Sequence, residues 1–267
     1  MILGISSYTY PWAVGVAGYQ PTRPLDESGL LDLCRQHRVN LLQIGDNLPV
    51  ARFDSARLDR LAARAKAENV RLEIGARGFT LDRLMEYLAV ARRVGARLLR
   101  FVIDDTDYQP KPSEVSRILK QCVPLLDGVV LGIENHDRFA AAELREIIES
   151  GESDSIGVCL DTANSLGAGE GIASVATALA PVALNLHIKD FKIQRVSHMM
   201  GFTVAGAPAG GGMLDVPKLL PQLKPFKRCE TAVLELWTPP EQQLEQTIAK
   251  EAAWAVQSLS FLKPLFL

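Results

Sequence analysis

Short apolar runs alternate along the whole chain with longer stretches of helical period. Eight runs read as strands: Ile2 to Ser6, Leu41 to Gly45, Arg71 to Gly75, Leu98 to Ile103, Val129 to Glu134, Ile156 to Asp161, Ala183 to Ile188 and Ala232 to Leu236. Each is too short to be a helix of ordinary length. The stretches between them are amphipathic. Leu58, Leu61, Ala62 and Ala65 share one helical face behind an Asp54 or Ser55 cap. Leu81, Leu84, Met85 and Leu88 do the same after Thr80. A further helix is predicted from Ser113, and the last and longest from Gln242 to Leu262.

Strand and helix alternate without a linker or a change of composition, which predicts an α/β fold: a single (β/α)8 TIM barrel spanning residues 1–267. The pitch agrees. Glu134 to Asp161 and Asp161 to His187 are each one strand–helix unit, whereas His187 to Glu235 is longer by about 20 residues on the usual pitch of such a unit. The seventh connection therefore carries an insertion. An open doubly wound sheet would need a glycine-rich turn after its first strand, and Ser6-Ser-Tyr-Thr-Tyr-Pro-Trp12 is unlike one.

Composition adds bounds. The chain is 48% hydrophobic and 22% charged with a formal net charge of −2, as expected of a globular protein with a large core. No basic stripe points to nucleic acid. Cys34, Cys122, Cys159 and Cys229 form no Cys-x-x-Cys pair and read as reduced, buried thiols. The first residues carry no basic leader, and no segment approaches the roughly 20 apolar residues that span a bilayer, so a cytoplasmic protein without membrane contact is expected. The apolar tail Phe261-Leu-Lys-Pro-Leu-Phe-Leu267 suggests either a homo-oligomer interface or the floor of its own barrel.

The chemistry gathers at the strand ends. Glu134, Asp161, His187 and Glu235 each stand at the C-terminal edge of one of the last four strands. Taken singly, Glu134 or Asp161 reads equally well as a helix cap, and His187 as a core histidine. Together they make an oxygen and nitrogen ligand set for one divalent metal ion, because three buried carboxylates without a cation would raise one another's pKa values. The identity of the ion stays open among Mn, Mg, Co and Zn.

Other residues surround this set. Lys189 falls on the same strand face as His187, where it either hydrogen-bonds substrate or forms an ion pair at the rim. Arg100 either binds substrate or pairs with Glu73. Asn164 is placed to orient a substrate hydroxyl or a ligand carboxylate. His136 is expected in the same cavity as Glu134. Tyr8, Tyr10 and Trp12, after the first strand, suit a sugar-stacking wall as well as ordinary core. Asp46-Asn47 and Arg77 follow the second and third strands. Gly210-Gly-Gly212 reads as a flexible turn as readily as an anion nest, so no phosphate is inferred.

Glu134-Asn-His, Asp161-Thr-Ala-Asn, His187-Ile-Lys-Asp, Pro208-Ala-Gly-Gly-Gly-Met-Leu-Asp215 and Leu234-Glu-Leu-Trp237 together resemble the xylose-isomerase-like TIM-barrel superfamily, in particular its sugar phosphate isomerase/epimerase branch. The resemblance covers essentially the whole chain and is unspecific for substrate. It implies an isomerase or epimerase acting on a small sugar or polyol-derived molecule through an enediolate. Glu134 and Glu235 would be both metal ligands and the proton-transfer pair, with Tyr8, Trp12, Arg100, His136, Asn164 and Lys189 as substrate-binding residues. A metal-dependent lyase or dehydratase on the same barrel is the alternative. The endonuclease IV-like branch needs extra histidines. Asn164 stands at one of those positions, and Arg195-Val-Ser-His198 lacks the required Asp-x-His.

Overall fold

Asp54 illustrates how local sequence becomes architecture. Its carboxylate accepts the Arg57 N–H at 2.7 Å, and the helix Ser55–Ala67 follows, burying Leu58, Leu61 and Ala65. Thr80 caps the helix Leu81–Val94 in the same way through the Arg83 N–H. Leu84 and Leu88 of this helix are buried, but Met85, expected on that inner face, is 52% exposed. It lies one step beyond Leu84, at the edge of the apolar stripe, where the helix has already turned toward solvent.

The computed structural model describes residues 1–267. In chain order the elements are β1 (Ile2–Ser6), α1 (Pro11–Val14), α2 (Glu27–His37), β2 (Leu41–Ile44), α3 (Ser55–Ala67), β3 (Arg71–Arg77), α4 (Leu81–Val94), β4 (Leu98–Val102) and α5 (Pro112–Cys122). They continue with β5 (Val130–Glu134), α6 (Ala141–Glu149), β6 (Ile156–Asp161), α7 (Ile172–Leu179), β7 (Ala183–Ile188), β8 (Asp190–Arg195) and β9 (Phe202–Ala207). α8 (Val216–Leu223), β10 (Thr231–Leu234) and α9 (Leu244–Leu262) complete the chain.

Eight of the strands close into one parallel barrel in the order β1-β10-β7-β6-β5-β4-β3-β2. Closure is made by β1 lying between β10 and β2, with Ile2 beside Thr231 and Ile5 beside Leu42. The expected (β/α)8 fold is therefore the observed one. β8 and β9 stand apart as an antiparallel hairpin, pairing only with each other. This hairpin is the long seventh connection, and its structure was not read from the sequence.

The barrel interior is not uniformly apolar. Gln43 donates to Glu73 at 3.1 Å and to Asn185 at 3.3 Å, and Asn185 donates to Glu73 at 3.3 Å and to Thr231 at 2.7 Å. All four are essentially sealed from solvent. Burial raises the Glu73 carboxyl above the usual range, against the lowering effect of its hydrogen bonds.

Leu262 is fully buried, and Phe261, Leu265 and Phe266 pack partly against the same core. Leu265, Phe266 and Leu267 share a groove with Met1 and Ile2, where the strands begin. The apolar tail thus lies on the floor of its own barrel. The four cysteines are unpaired, three of them buried. No helix is long and apolar enough to cross a membrane.

Candidate metal centre

Because the strands are parallel and in register, their C-terminal residues converge. Asp161 on β6 lies beside His187 on β7, and Glu134 on β5 beside Cys159 on β6. One ligand atom each from Glu134, Asp161 and His187 falls within 4.8 Å of the others, and all three residues are buried. Glu235 sits one residue past β10 and just outside this trio, its Oε1 3.5 Å from His187 Nδ1.

The donor set fits a divalent ion. Both ring nitrogens of His187 are buried without a well-aligned hydrogen bond: Nδ1 faces Glu134 Oε2 at 3.2 Å, and Nε2 has no partner. Buried polar atoms left in this way are costly unless something else satisfies them. Two carboxylates and an imidazole facing one point are the donors that Mg, Mn, Co or Zn accept.

Around the trio, each remaining oxygen is held. Asp161 Oδ1 accepts the backbone N–H groups of Ala163 at 2.7 Å and Asn164 at 2.8 Å. Asn164 Nδ2 donates to Glu134 Oε1 at 2.7 Å, so this side chain orients a carboxylate of the trio. Ser6 Oγ donates to Glu235 Oε1 at 3.1 Å. Lys189 Nζ lies 2.8 Å from Asp161 Oδ2, 3.0 Å from Glu235 Oε2 and 3.3 Å from Asn164 Oδ1. Its ion pairs are thus inside the site rather than at an outer rim. Burial would lower the Lys189 pKa, but Asp161, Glu235 and Glu134 outweigh it and raise the ammonium above its ordinary range.

Arg100 does not pair with Glu73. Its Nε donates to Glu134 Oε2 and its Nη1 to Asp46 Oδ1 at 2.7 Å. Glu73 keeps to the amides of Gln43 and Asn185. Room for the arginine comes from Gly75, where an added Cβ would lie 3.3 Å from Arg100 Cδ. Burial disfavours ionisation of Glu134, yet Arg100, His187 and Lys189 together hold its carboxyl well below the usual range.

Above this centre opens a cleft of about 610 Å³, lined by Tyr8, Trp12, Arg77, Arg100, Glu134, His136, Asn164, Lys189 and Glu235 among others. Tyr8 and Trp12 form part of the wall. Tyr10 points elsewhere: it is buried, with its hydroxyl 2.7 Å from His37 Nε2. His136 is on the wall with Nδ1 2.8 Å from Asp137 Oδ1. Trp237, together with Val204 to Gly206 of β9, completes the mouth. Sequence reading missed these last residues. Trp237 follows Glu235 by two, a spacing that marks it in hindsight. The hairpin is signalled by alternation in Phe191-Lys-Ile-Gln-Arg195 and Phe202-Thr-Val204.

The hairpin is tied down at its base. Asp190 accepts from the N–H groups of Phe191 at 2.8 Å, Gly210 at 3.0 Å, Gly212 at 2.9 Å and Leu214 at 2.9 Å. The Gly210–Gly212 segment is therefore a turn folded around a protein carboxylate, which leaves no nest for an external anion.

Comparison with known proteins agrees with this architecture. The chain is 30% identical over 264 residues to the 3-oxo-isoapionate decarboxylase of Pectobacterium atrosepticum, a match covering 98% of this chain and 95% of the other. Its fold is similar to D-psicose 3-epimerase from Clostridium cellulolyticum, solved with D-tagatose (TM-score 0.74, 13% identity, 98% of each chain). It is also similar to a xylose isomerase-like TIM-barrel protein from Mycobacterium smegmatis solved with magnesium (TM-score 0.69, 12% identity, 97% of this chain and 96% of that one). The family model for xylose isomerase-like TIM barrels matches residues 53–265, and this chain belongs to that family.

Proposed function

We propose that this protein is a metal-dependent enzyme that decarboxylates a small 3-oxo sugar acid through an enediolate. The observation that carries the reading is its similarity, along nearly its full length, to a decarboxylase of such an acid. The geometry supports it. Three cationic side chains, Arg77, Arg100 and Lys189, line a cleft large enough for a small polyhydroxylated acid.

Glu134, Asp161 and His187, with Glu235 beside them, would hold the ion. When bound, such an ion supplies electrophilic stabilisation of the charge that develops on the keto oxygen. The protein's own groups supply the rest. The carbon–carbon bond to the carboxylate breaks, CO2 departs, and the electron pair enters the enediolate. The carbanionic carbon then takes a proton. Glu235, on the cleft wall and 3.0 Å from the Lys189 ammonium, would pass that proton on from solvent, and Lys189 would hold its carboxylate in place. Tyr8, Trp12 and Trp237 wall the cleft and limit the water that competes for the intermediate.

A second reading, sugar isomerisation or epimerisation, uses the same enediolate formed by loss of a proton instead of CO2. It is favoured by the presence of two glutamates, Glu134 and Glu235, each close to His187. There they would remove and return the proton, and Asn164 and Arg100 would orient Glu134.

The two readings separate in one assay. The metal-loaded protein is given a 3-oxo sugar acid and, separately, a panel of ketoses in D2O, followed by NMR. Release of CO2 with one deuteron incorporated in the product is the expected result. Deuterium exchange on a ketose without CO2 from any keto acid would replace decarboxylation by the epimerase reading.

A further inference from the structure

Among the cations of the cleft, Arg77 differs in how its nitrogens are engaged. Lys189 lies among Asp161, Glu235 and Asn164, and Arg100 bridges Glu134 and Asp46. Arg77, the last residue of β3, donates only through Nε, to Asp46 Oδ2 at 3.1 Å. Neither Nη1 nor Nη2 has an acceptor in the fold, and no carboxylate other than Asp46 lies within ion-pair distance. The side chain is 37% exposed and lines the cleft.

Asp46 cannot neutralise it fully. The same carboxylate takes Arg100 Nη1 at 2.7 Å and the Tyr8 hydroxyl at 3.1 Å. Arg77 therefore has only a share of this carboxylate, because Arg100, which also pairs with Glu134, takes its other oxygen. Asp46 fixes the inner edge of Arg77, and the free outer edge is a planar pair of N–H donors, a shape that matches a carboxylate in two parallel hydrogen bonds.

We propose that Arg77 is the substrate's carboxylate anchor and selects anionic sugar acids over neutral sugars. The inference deepens the reading given above and rests on it for the fate of the carboxylate, but not for its presence. Anchored at Arg77, the acid group is oriented relative to the keto carbon near Glu134 and Lys189. As the carboxylate becomes neutral CO2 the contact weakens, so Arg77 acts chiefly on ground-state binding and on KM.

The test is calorimetric titration of the manganese-loaded protein with threonate and with its uncharged counterpart threitol. Wild type is expected to bind threonate at least about 10-fold more tightly, the scale of a charge-assisted pair. Arg77→Gln should abolish that preference with threitol affinity unchanged, and Arg77→Lys should restore part of it. The anchor is overturned if wild type shows no preference for the acid, if Arg77→Gln keeps it, or if a folded Arg77→Gln loses both ligands equally. CO2 release is scored separately. An Arg77-dependent preference without CO2 from any keto acid removes the decarboxylase reading and leaves the anchor standing. CO2 release with an unchanged KM in Arg77→Gln removes the anchor alone.

Discussion

At the scale of single residues, Glu134 is held from three sides: Arg100, Asn164 and His187 all reach its two oxygens. Glu134→Gln would leave Arg100 facing a neutral amide in a buried place. In the epimerase reading turnover should fall at least about 10²-fold, the usual scale for loss of an acid–base group. Glu235→Gln should show a similar loss. Asp161→Asn and His187→Ala should lose activity mainly through loss of metal, with partial recovery in excess metal; metal content and kcat measured together distinguish the two pairs. If both glutamine variants kept wild-type turnover, neither glutamate would have a role in proton transfer.

Glu251 offers a residue-scale prediction away from the site. It is fully buried and accepts the backbone N–H groups of Trp12 at 3.0 Å and Ala13 at 3.1 Å. Burial outweighs those bonds and pushes its carboxyl up to about 8. An unfolded glutamate titrates near pH 4.3, so between the two values the folded state binds a proton that the unfolded state has lost. Stability should therefore fall as pH rises from about 5 to 8. Glu251→Gln should remove that slope from a series of denaturation midpoints. An unchanged slope would assign the pH dependence to other groups.

At the scale of elements, the hairpin β8–β9 depends on two contacts. A Cβ added at Gly206 would lie 1.9 Å from the carbonyl oxygen of Trp237, so Gly206→Ala must lift β9 from the rim. Overpacking of this kind costs about 1–3 kcal/mol, and here it should appear as a raised KM more than as global unfolding. Asp190→Ala removes the acceptor for four backbone N–H groups and should destabilise by at least about 3 kcal/mol in a denaturant titration. A loss below about 0.5 kcal/mol, the range of an ordinary surface substitution, would mean that water replaces the carboxylate at no cost.

What the sequence conveyed about these elements follows from the physics of each. The eight barrel strands announced themselves because buried parallel strands are continuous apolar runs. Glu134, Asp161 and His187 were visible as polar residues ending such runs. Asp46 was visible only as a loop residue, since its hold on Arg100, 54 positions away, depends on which strands become neighbours. The inner layer of Gln43, Glu73 and Asn185 left its trace as single polar residues inside apolar strands, but its partners are set by barrel register. Met85 was misplaced because a one-residue difference in direction is not encoded by periodicity alone, and for the same reason Tyr10 could not be told apart from Tyr8 and Trp12 as a core residue.

At the scale of the whole molecule, a closed parallel barrel leaves its eight interior strands no free edge, and its chemistry is confined to one end. One compact group of candidate ligands exists, which predicts close to one divalent ion per chain by elemental analysis. Two or three tightly held zinc ions would be incompatible with that arrangement. Removal of the ion by a chelator should abolish turnover while far-UV circular dichroism stays unchanged, because a core of 64 buried residues does not depend on it.

The hairpin pairs with no barrel strand, yet it supplies part of the cleft mouth through Val204, Ala205 and Gly206. Inheritance of the two functions of the cleft is thereby uncoupled. Substitutions at Val204 and Ala205 change the wall of the mouth without touching the barrel register on which the ligand cluster depends. A lineage built on this chain can change its diet by revising one ribbon while its chemistry stays fixed.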